Sequence, residues 1–404
     1  MRIGVIGGGA AGMIAAYFSA TCGNEVFLIE KNEKLGKKIY ITGKGRCNIT
    51  NLCEPQDFLQ NVVTNPKFVY ASVYGFTPQD TVDFFNGLGL KTKVERGNRV
   101  FPESDKSSDV IKTLSDAVIN AGVTVKLNET VKAVTTASGA VESIITDKNR
   151  YFCDRVIVAT GGLSYPSTGS TGDGYKFAKT LGHTVTELSP SLTGLELCGS
   201  DFLPLQGLTL KNVTASVFAG EKLIYSKQGE ALFTHYGISG PIILSASSII
   251  NTVKSDKFTL KIDLKPALDR ETLSARVLRD FNLNLNKEIK NSLDALLPKS
   301  LIPLVLKRAG IPEYKKPNSI TVKERESLVY TLKNLEFTVK GTRGFNEAVI
   351  TRGGVCVKEI NPKNMESKLV KGLRFCGEVL DVDAFTGGFN LQIAFSSGKA
   401  AAND

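Results

Sequence analysis

The chain opens with Ile3-Gly-Val-Ile-Gly-Gly-Gly-Ala-Ala-Gly12, and this stretch decides the fold. It predicts a short apolar strand over Ile3–Ile6, a turn of the form Gly7-x-Gly9-x-x-Gly12, and a helix from Met13 to Ala20. The first glycine of such a turn permits the bend, the second lets a pyrophosphate approach the backbone, and the third lets the helix pack on the strand. The pyrophosphate then lies at the helix N-terminus, where unpaired N–H groups point outward.

An acidic residue follows the next predicted strand. Glu25–Ile29 reads as a second buried strand, and it is followed directly by Glu30, 18 residues after Gly12. An acid at this place accepts hydrogen bonds from the ribose hydroxyls of the adenosine half of a dinucleotide. A glycine motif alone is weak evidence, but here strand, turn, helix, strand and acid form one unit. The sequence therefore predicts an α/β dinucleotide-binding domain.

Length and composition limit the remaining possibilities. The chain has 404 residues, of which 42% are hydrophobic and 22% charged, so we expect two or three domains with a large core. The glycine motif begins so early that we expect no signal or transit peptide. No apolar run reaches the roughly 18 residues that a membrane span needs. We therefore expect a cytoplasmic protein without a membrane partner, either a monomer or a homodimer.

Cysteine, histidine and charge exclude some classes of function. Seven cysteines occur without a Cys-x-x-Cys pair and histidine occurs only twice, so we expect no metal and no thiol redox pair. The net charge of +10 favours anionic ligands. The basic residues are scattered rather than clustered, and for that reason nucleic acid is not the expected partner.

A basic loop rich in glycine follows the first β–α–β unit. Its cations outnumber its one acid, Glu33, by five to one: Lys34, Lys37, Lys38, Lys44 and Arg46. The glycines that flank Lys44 have no side chains, so main-chain N–H donors are accessible beside the positive charges. Such a loop suits binding of a phosphate or of a ring that becomes anionic. A solvated basic loop is the alternative interpretation.

The middle of the chain, from about residue 189 to 341, changes character. Its first half predicts short alternating strands. Its second half predicts four helices, at Glu271–Phe281, Lys287–Leu296, Ser300–Ala309 and Lys323–Asn334. The chain then returns to a strand-like run ending in Gly377-Glu378, followed by a last helix that ends at Ala402.

Three distant segments together resemble the FAD domain of the glutathione-reductase-like flavoproteins. They are the N-terminal glycine turn, the strand end Ala159-Thr160-Gly161, and Gly377-Glu378 with Gly387-Gly388. The resemblance implies non-covalent FAD, with the last helix directed at the pyrimidine edge of the flavin. It also implies that Glu378 or Asp381 meets the ribitol.

More narrowly, the chain is similar to the bacterial flavoprotein family that contains aminoacetone oxidase and the BaiN-type (3-dehydro-bile acid) reductases. The segments that carry this similarity are Thr42-Gly-Lys-Gly-Arg-Cys-Asn-Ile-Thr-Asn51, Arg99-Val-Phe-Pro-Glu103, Gly161-Gly-Leu-Ser-Tyr-Pro166, Thr171-Gly-Asp-Gly174, Leu232-Phe-Thr-His-Tyr-Gly-Ile-Ser-Gly-Pro241, Gly353-Gly-Val355, Met365-Glu-Ser-Lys368 and Gly377-Glu-Val-Leu-Asp381. The chain departs from the family pattern at Lys44 and at Ala384. The implied fold is α/β: a discontinuous Rossmann-like FAD domain (1–188 plus 344–404), an inserted β-rich substrate domain (189–265 plus 336–343) and a small helical domain (266–335).

The motifs and the resemblance together define the expected site. The residues expected to contact FAD are Gly7, Gly9, Ala11, Gly12, Glu30, Lys31, Lys38, Gly45, Arg46, Cys47, Asn48, Val131, Thr160, Gly161, Gly377, Glu378, Asp381, Gly388, Asn390 and Leu391. The side chains considered for catalysis are Arg46, Tyr165 and His235. A structural role is the alternative for each of the last two.

Three functions remain open from the sequence. The favoured one is an NAD(P)H-linked flavin reductase of an electron-poor double bond in a small organic substrate, for example a steroid or bile acid. The chain has no second glycine motif of the dinucleotide type. This weighs slightly against the reductase without excluding it, since NADH or NADPH can bind transiently over the flavin ring without a dedicated domain. The second is an amine or amino-acid oxidase of the aminoacetone type that passes electrons to O₂. The third, from another class, is a flavin-containing nucleic-acid-binding or RNA-modification component.

Overall fold

The computed structural model describes residues 1–403, which divide into two units. Unit 1 contains Met1–Ser191 and residues 345–403, and unit 2 contains Leu192–Gly344. Each unit has its own hydrophobic core. The finer limits at residues 188, 265 and 335 that were expected from the sequence remain predictions.

The regular elements are numbered in chain order. The strands are β1 (Arg2–Ile6), β2 (Glu25–Ile29), β3 (Thr50–Asn51), β4 (Thr92–Glu95), β5 (Arg99–Pro102), β6 (Thr124–Lys126), β7 (Val131–Ala137), β8 (Ala140–Thr146), β9 (Arg150–Phe152), β10 (Arg155–Val158), β11 (Ser189–Ser191), β12 (Leu195–Leu197), β13 (Thr209–Ala219), β14 (Lys222–Thr234), β15 (Gly237–Ser239), β16 (Phe258–Asp263), β17 (Leu335–Thr342), β18 (Ile350–Arg352) and β19 (Leu373–Phe375). The α-helices are α1 (Ala10–Thr21), α2 (Lys37–Ile41), α3 (Pro55–Leu59), α4 (Tyr70–Gly75), α5 (Pro78–Gly87), α6 (Ser107–Asn120), α7 (Asp173–Thr180), α8 (Pro241–Ile250), α9 (Arg270–Asn282), α10 (Ile302–Ala309), α11 (Val322–Lys333) and α12 (Phe389–Ala402). Within residues 1–403, none of these helices has the length and apolar content needed to cross a lipid bilayer.

A five-stranded parallel sheet organises unit 1. Its strand order is β19-β10-β1-β2-β6, and every neighbouring pair is parallel. The central strand β1 is apolar and buried from Ile3 to Ile6. A strand covered on both faces is expected to read as such a continuous apolar run. Helix α1 packs against both β2 and α12, so the first and the last helix of the chain share one core. The predicted α/β fold with a Rossmann-type sheet is confirmed.

Two glycines make the β1–α1 turn sterically possible. Gly7 has φ +103°, and a Cβ there would lie 2.6 Å from the carbonyl oxygen of Ala159. A Cβ on Gly12 would lie 1.8 Å from the carbonyl oxygen of Gly7. Any side chain at Gly12 would therefore force α1 away from the strand, as the spacing of the motif predicts.

Unit 2 is built on a closed antiparallel barrel. Its six strands follow the order β12-β15-β14-β13-β16-β17, and the β12–β17 pair closes the ring. Alternate residues of β13, such as Val213, Ala215 and Val217, are buried, as expected for strands with one face toward a core. Helices α8–α11 contribute to the same core as the barrel, for example through Leu273 and Leu328.

In unit 2, one predicted helix is wrong and one helix was not predicted. Where Lys287–Leu296 was expected to be helical, the structure has a single 3₁₀ turn, Ile289–Asn291. The N–H of Ile289 donates to the carbonyl of Lys315 at 2.8 Å instead of to the preceding turn. The segment also contains Asn, Ser and Asp, whose side chains compete for backbone hydrogen bonds and favour turns. Conversely, Pro241–Ile250 forms α8, although its serines and β-branched residues weaken the helical signal.

A candidate cofactor site at the edge of the parallel sheet

A cavity of about 200 Å³ lies in unit 1 at the carboxyl ends of β1, β2 and β10. The last residues of β1 and β2 line it, together with the turns that follow all three strands, among them Ile6, Glu30 and Thr160. Open parallel sheets bind their ligands at this edge. The cavity is therefore the place to test whether the residues present fit FAD.

The N-terminus of α1 leaves its first N–H groups facing this cavity. Gly9, Ala10 and Ala11 line the wall, and no side chain caps the helix. Gly9 has an ordinary extended backbone, and a Cβ built on it meets no atom within 4 Å. The glycine is thus not required by the protein's own packing, whereas a pyrophosphate resting on the helix N-terminus would require it. This arrangement fits the diphosphate of FAD.

Glu30 is held rigidly at the end of β2. Its carboxylate accepts hydrogen bonds from the N–H of Gly8 at 2.7 Å and from the main-chain and side-chain nitrogens of Asn32 at 2.8 and 2.7 Å. The residue is only 9% exposed, and it lines the cavity. A carboxylate has about four acceptor positions, so it can still receive a hydroxyl after these three bonds. The geometry suits a ribose.

Residues 163–173 form a segment, here called the strap, that contributes to the cavity wall beside the residues that follow β2. Thr168, Gly169 and Ser170 line the cavity wall. The Lys31 ammonium binds the Asp173 carboxylate at 2.7 Å, and Asn32 Nδ2 donates to the Thr168 carbonyl at 3.1 Å. These contacts hold the strap against the segment that follows β2.

A second carboxylate, Glu378, belongs to a saturated polar network. Its Oε1 accepts from Ser164 Oγ at 2.6 Å and from the N–H of Thr351 at 2.8 Å. Its Oε2 accepts from the Lys38 ammonium. Both Lys38 and Glu378 line the cavity, so a balanced pair of charges, rather than a free carboxylate, faces the space expected to hold the ribitol.

The wall also holds a polar atom without a partner. Thr160 Oγ1 is buried and makes no hydrogen bond to any of the described residues. Thr160 follows β10 and lines the cavity beside Gly161. This oxygen has almost no accessible surface and lies toward α7, where a Cβ on Gly174 would be 2.2 Å from it, so it is not a contact for a bound molecule. The uncapped α1 and the fixed Glu30 make the residues present a fit for FAD.

Most residues predicted to contact the cofactor lie on this one cavity. They are Gly7, Gly9, Ala11, Glu30, Lys31, Lys38, Val131, Thr160, Gly161, Gly377, Glu378, Asn390 and Leu391. The other predicted residues of unit 1 are outside its lining: Gly12, Gly45, Arg46, Cys47, Asn48, Asp381 and Gly388. Contact with FAD remains a prediction for both groups of residues.

Arg46 makes contacts that the sequence did not predict. Its guanidinium pairs with the carboxylates of Glu95 and Asp105 and lies over the ring of Phe101, 4.2 Å from its centroid. The two carboxylates raise the pKa of Arg46 further above its usual range. Since its charge is balanced within the protein, Arg46 contributes less positive field than the basic loop suggested.

The other side chains considered for chemistry lie apart from the cavity lining. Tyr165 belongs to the strap and has a left-handed backbone, φ +52°. His235 is in unit 2, where it is exposed and its ring packs edge-on to Tyr236 at 5.0 Å. Cys47 is fully buried, and burial raises the pKa of its thiol to about 12. The catalytic roles of Tyr165 and His235 remain predictions, and so does contact between Cys47 and FAD.

Several lining residues were missed by sequence reasoning. Asn32, Thr168, Ser170, Val349 and Ile350 all line the cavity. Asn32 was within reach of the sequence argument, because it lies two positions after Glu30 in a basic turn. Val349 and Ile350 carry no local signal, since only the return of the chain to unit 1 brings them to the sheet edge.

Fold and site define the class of this protein. A parallel sheet, a glycine turn with an uncapped helix and a fixed acid after β2 are the parts of a Rossmann-type flavoprotein. The chain belongs to the family described as HI0933-like protein Rossmann domain, whose model matches residues 1–404. It is thereby an FAD-dependent oxidoreductase, as predicted from the sequence.

Two curated relatives match over the full length but differ in substrate. The chain is 33% identical to the 3-dehydro-bile acid delta(4,6)-reductase of Clostridium scindens, covering 99% of this chain and 98% of that protein. It is 32% identical to the ribosomal RNA dihydrouridine synthase of Escherichia coli, covering 99% and 96%. Among solved structures, the 3-ketosteroid-delta4-(5alpha)-dehydrogenase of Rhodococcus jostii RHA1 has a TM-score of 0.50 at 14% identity, with 100% and 96% coverage. That likeness supports the fold.

Proposed function

We propose that this protein uses FAD to reduce a carbon–carbon double bond conjugated to a carbonyl group, with NADH or NADPH as electron donor. The observation that carries the proposal is full-length similarity to two proteins whose names share this chemistry. A 3-dehydro-bile acid with Δ4 unsaturation is an enone. Dihydrouridine differs from uridine by two hydrogens added to the double bond beside a carbonyl.

The residues of unit 1 have defined tasks in such a reaction. FAD, when bound, supplies the hydride chemistry. The α1 N-terminus receives the diphosphate, and Glu30 receives the ribose. Lys38 and Glu378 bring a neutral pair rather than a net charge to the cavity wall. We expect the Lys38 ammonium to stabilise negative charge that develops next to it, because a donor held in a partly dry site needs little reorganisation.

A small enone is the substrate favoured by the sequence argument, and one observation favours RNA uridine as a second candidate. Unit 2 has 22 Lys and Arg against 15 Asp and Glu, a net charge of +7 out of +10 for the chain. Unit 2 contains fewer than two fifths of the residues. A positive excess concentrated in one unit attracts a polyanion more strongly than a bile acid with its single carboxylate, and a neutral steroid gains nothing from it.

An anaerobic stopped-flow experiment on the flavin absorbance separates these functions. The oxidised protein is mixed with NADH, NADPH or aminoacetone, and the reduced protein is then mixed with 4-androstene-3,17-dione, a uridine-containing rRNA transcript or O₂. We expect NADH or NADPH to bleach the flavin, and the steroid or the RNA to restore its colour faster than O₂ does.

Two results would contradict the proposal. Bleaching by aminoacetone but by neither nicotinamide would replace it with the oxidase function. Fast reoxidation by O₂ with no response to either double-bond substrate would also refute it. If the RNA alone is active, its rate should fall steeply with added salt, because phosphate contacts release counterions.

A further inference from the structure

Three positively charged side chains of unit 1 have no acidic partner. Lys44, Arg96 and Arg99 are exposed, and none of them forms an ion pair with any of residues 1–403. Lys44 lies in the glycine-flanked turn after α2, and the two arginines lie at the tip of the β4–β5 hairpin. The cofactor site described above uses none of them.

The ring of Phe101 brings the two segments together. The guanidinium of Arg99 lies 5.7 Å from the centroid of this ring. A Cβ built on Gly43, the residue before Lys44, would lie 3.8 Å from the same ring. Arg99 Nε also donates a hydrogen bond to the carbonyl of Arg96 at 3.0 Å. Lys44, Arg96 and Arg99 are therefore treated as one group, here called the cationic cluster.

The other cations beside this ring are already neutralised by acids. Arg46, whose guanidinium is 4.2 Å from the centroid of Phe101, pairs with Glu95 and Asp105. Lys93 pairs with Asp105 at 2.7 Å. The uncompensated charge is thus confined to the cationic cluster, which suits a small, highly charged anion better than a long polyanion.

The hairpin tip is fixed against the turn that precedes α12. Asn51 Nδ2 donates to the carbonyls of Gly97 and Gly387 at 3.0 and 3.1 Å. The N–H of Leu52 donates to the carbonyl of Asn98 at 2.7 Å. Because these bonds hold the backbone of the tip, less ordering is needed when its arginines take up an anion.

Both anchoring segments continue into the wall of the cofactor cavity. Thr42, two residues before Lys44, lines the cavity, and so does Asn390, three residues after Gly387. A dinucleotide donor that places its nicotinamide at the flavin extends its adenosine half away from the reacting rings. The cationic cluster offers a place for a phosphate on that half.

We propose, on the basis of the function proposed above, that the cationic cluster binds the 2′-phosphate of NADPH and makes NADPH the preferred electron donor over NADH. A phosphate monoester carries a charge of about −1.5 to −2 at neutral pH and has three acceptor oxygens. Guanidinium groups bind such oxygens through paired N–H donors. NADH has a hydroxyl group at this position, so it gains no charge interaction with the cluster.

The test uses single substitutions that remove one charge each. They are Arg96→Gln, Arg99→Gln and Lys44→Asn, the last because asparagine tolerates the left-handed backbone of Lys44, φ +58°. Arg150→Gln is the matched control, because Arg150 is an exposed arginine of another unit 1 hairpin and lies 4.9 Å from the centroid of Phe152. Flavin content and circular dichroism establish that each variant is folded.

Calorimetric titration of the oxidised, FAD-loaded protein measures the phosphate site without any redox step. The probes are adenosine 2′,5′-bisphosphate and adenosine 5′-monophosphate, which differ by the 2′-phosphate. We expect the bisphosphate to bind the parent more tightly than the monophosphate. Arg96→Gln and Arg99→Gln should each weaken bisphosphate binding by roughly 10- to 100-fold, the scale of a lost charged hydrogen bond. Arg150→Gln should leave it unchanged.

Anaerobic stopped flow then measures how strongly the flavin prefers NADPH over NADH as reductant. This preference, taken as the ratio of second-order rate constants for flavin bleaching, should fall by a similar factor in the two arginine variants and stay at the parent value in Arg150→Gln. A smaller fall is expected for Lys44→Asn, because an ammonium lacks the paired donors of a guanidinium.

The phosphate site and the proposed function fail in different ways. Equal affinity of the parent for the two adenosine phosphates, or unchanged bisphosphate binding in both arginine variants, overturns the phosphate site. So does a loss of affinity for the rRNA transcript alone, which would assign the cluster to RNA. If neither NADPH nor NADH bleaches the parent flavin, the proposed function fails, whatever the calorimetric result.

Discussion

Two glycines of the same turn should respond in opposite ways to a single methyl group. Gly9→Ala places a Cβ where no protein atom lies within 4 Å, and the backbone there, φ −83° and ψ −169°, is ordinary for alanine. Gly12→Ala places a Cβ 1.8 Å from the carbonyl oxygen of Gly7. The first change should affect only a ligand, whereas the second should affect the fold.

The expected magnitudes follow from these contacts. Gly9→Ala should change the stability of the apoprotein by no more than about 1 kcal/mol, because restriction of the unfolded chain favours alanine, whereas alanine is a poorer N-cap for α1 than glycine. Its methyl occupies the approach of the diphosphate, and overpacking of about 1–3 kcal/mol weakens FAD binding roughly 5- to 160-fold. Gly9→Val, which is larger, should lose FAD. Gly12→Ala should destabilise the apoprotein by about 1–3 kcal/mol or more, because the neighbouring atom is backbone.

Urea unfolding of the apoprotein and fluorescence titration with FAD measure the two effects. Gly75→Ala is the control, since Gly75 also has open space for a Cβ but lies at the end of α4. It should change neither quantity by more than the general effect of alanine. If Gly9→Ala binds FAD as tightly as the parent, the diphosphate does not rest on α1, and the assignment of the cavity is wrong.

Three further outcomes are expected. When the native protein is treated with a thiol-labelling reagent at pH 8 and examined by mass spectrometry, the exposed Cys22 should react within minutes and Cys47 should not. Burial removes access to the Cys47 thiol and raises its pKa to about 12. Equal labelling of the two cysteines would contradict the packing around Cys47. Burial lowers the pKa of His183, so the free energy of unfolding should fall as the pH drops below about 6.5, where the unfolded chain binds a proton that the folded chain resists. His183→Gln should weaken this dependence in urea titrations, and an unchanged slope would show that another group is responsible. Asp173→Asn removes the ion pair with Lys31, and because a partly exposed pair contributes at most about 1 kcal/mol, FAD should dissociate up to roughly fivefold faster; an unchanged rate would show that the strap does not retain the cofactor.

Local constraints explain why part of this protein could be predicted from the sequence. The β1–α1–β2 unit is encoded by contacts within 30 residues, and a glycine is needed where α1 crosses the backbone of Gly7. Glu30 directly follows a buried strand, so its position at the sheet edge could be predicted once the end of that strand was located. The return of the chain at Gly377 was predictable because glycine and acid recur there before a helix.

Contacts between distant segments were decided only by the tertiary structure. The charge of Arg46 looked free in the sequence, yet it is balanced by Glu95 and Asp105, 49 and 59 residues away. The hydrogen bond from Ser191 to the Asp383 carboxylate joins segments 192 residues apart, and nothing in the local sequence indicates it. Backbone preferences act over a few residues, whereas burial and charge pairing depend on which distant segments come into contact. No local pattern in this chain specifies those tertiary contacts.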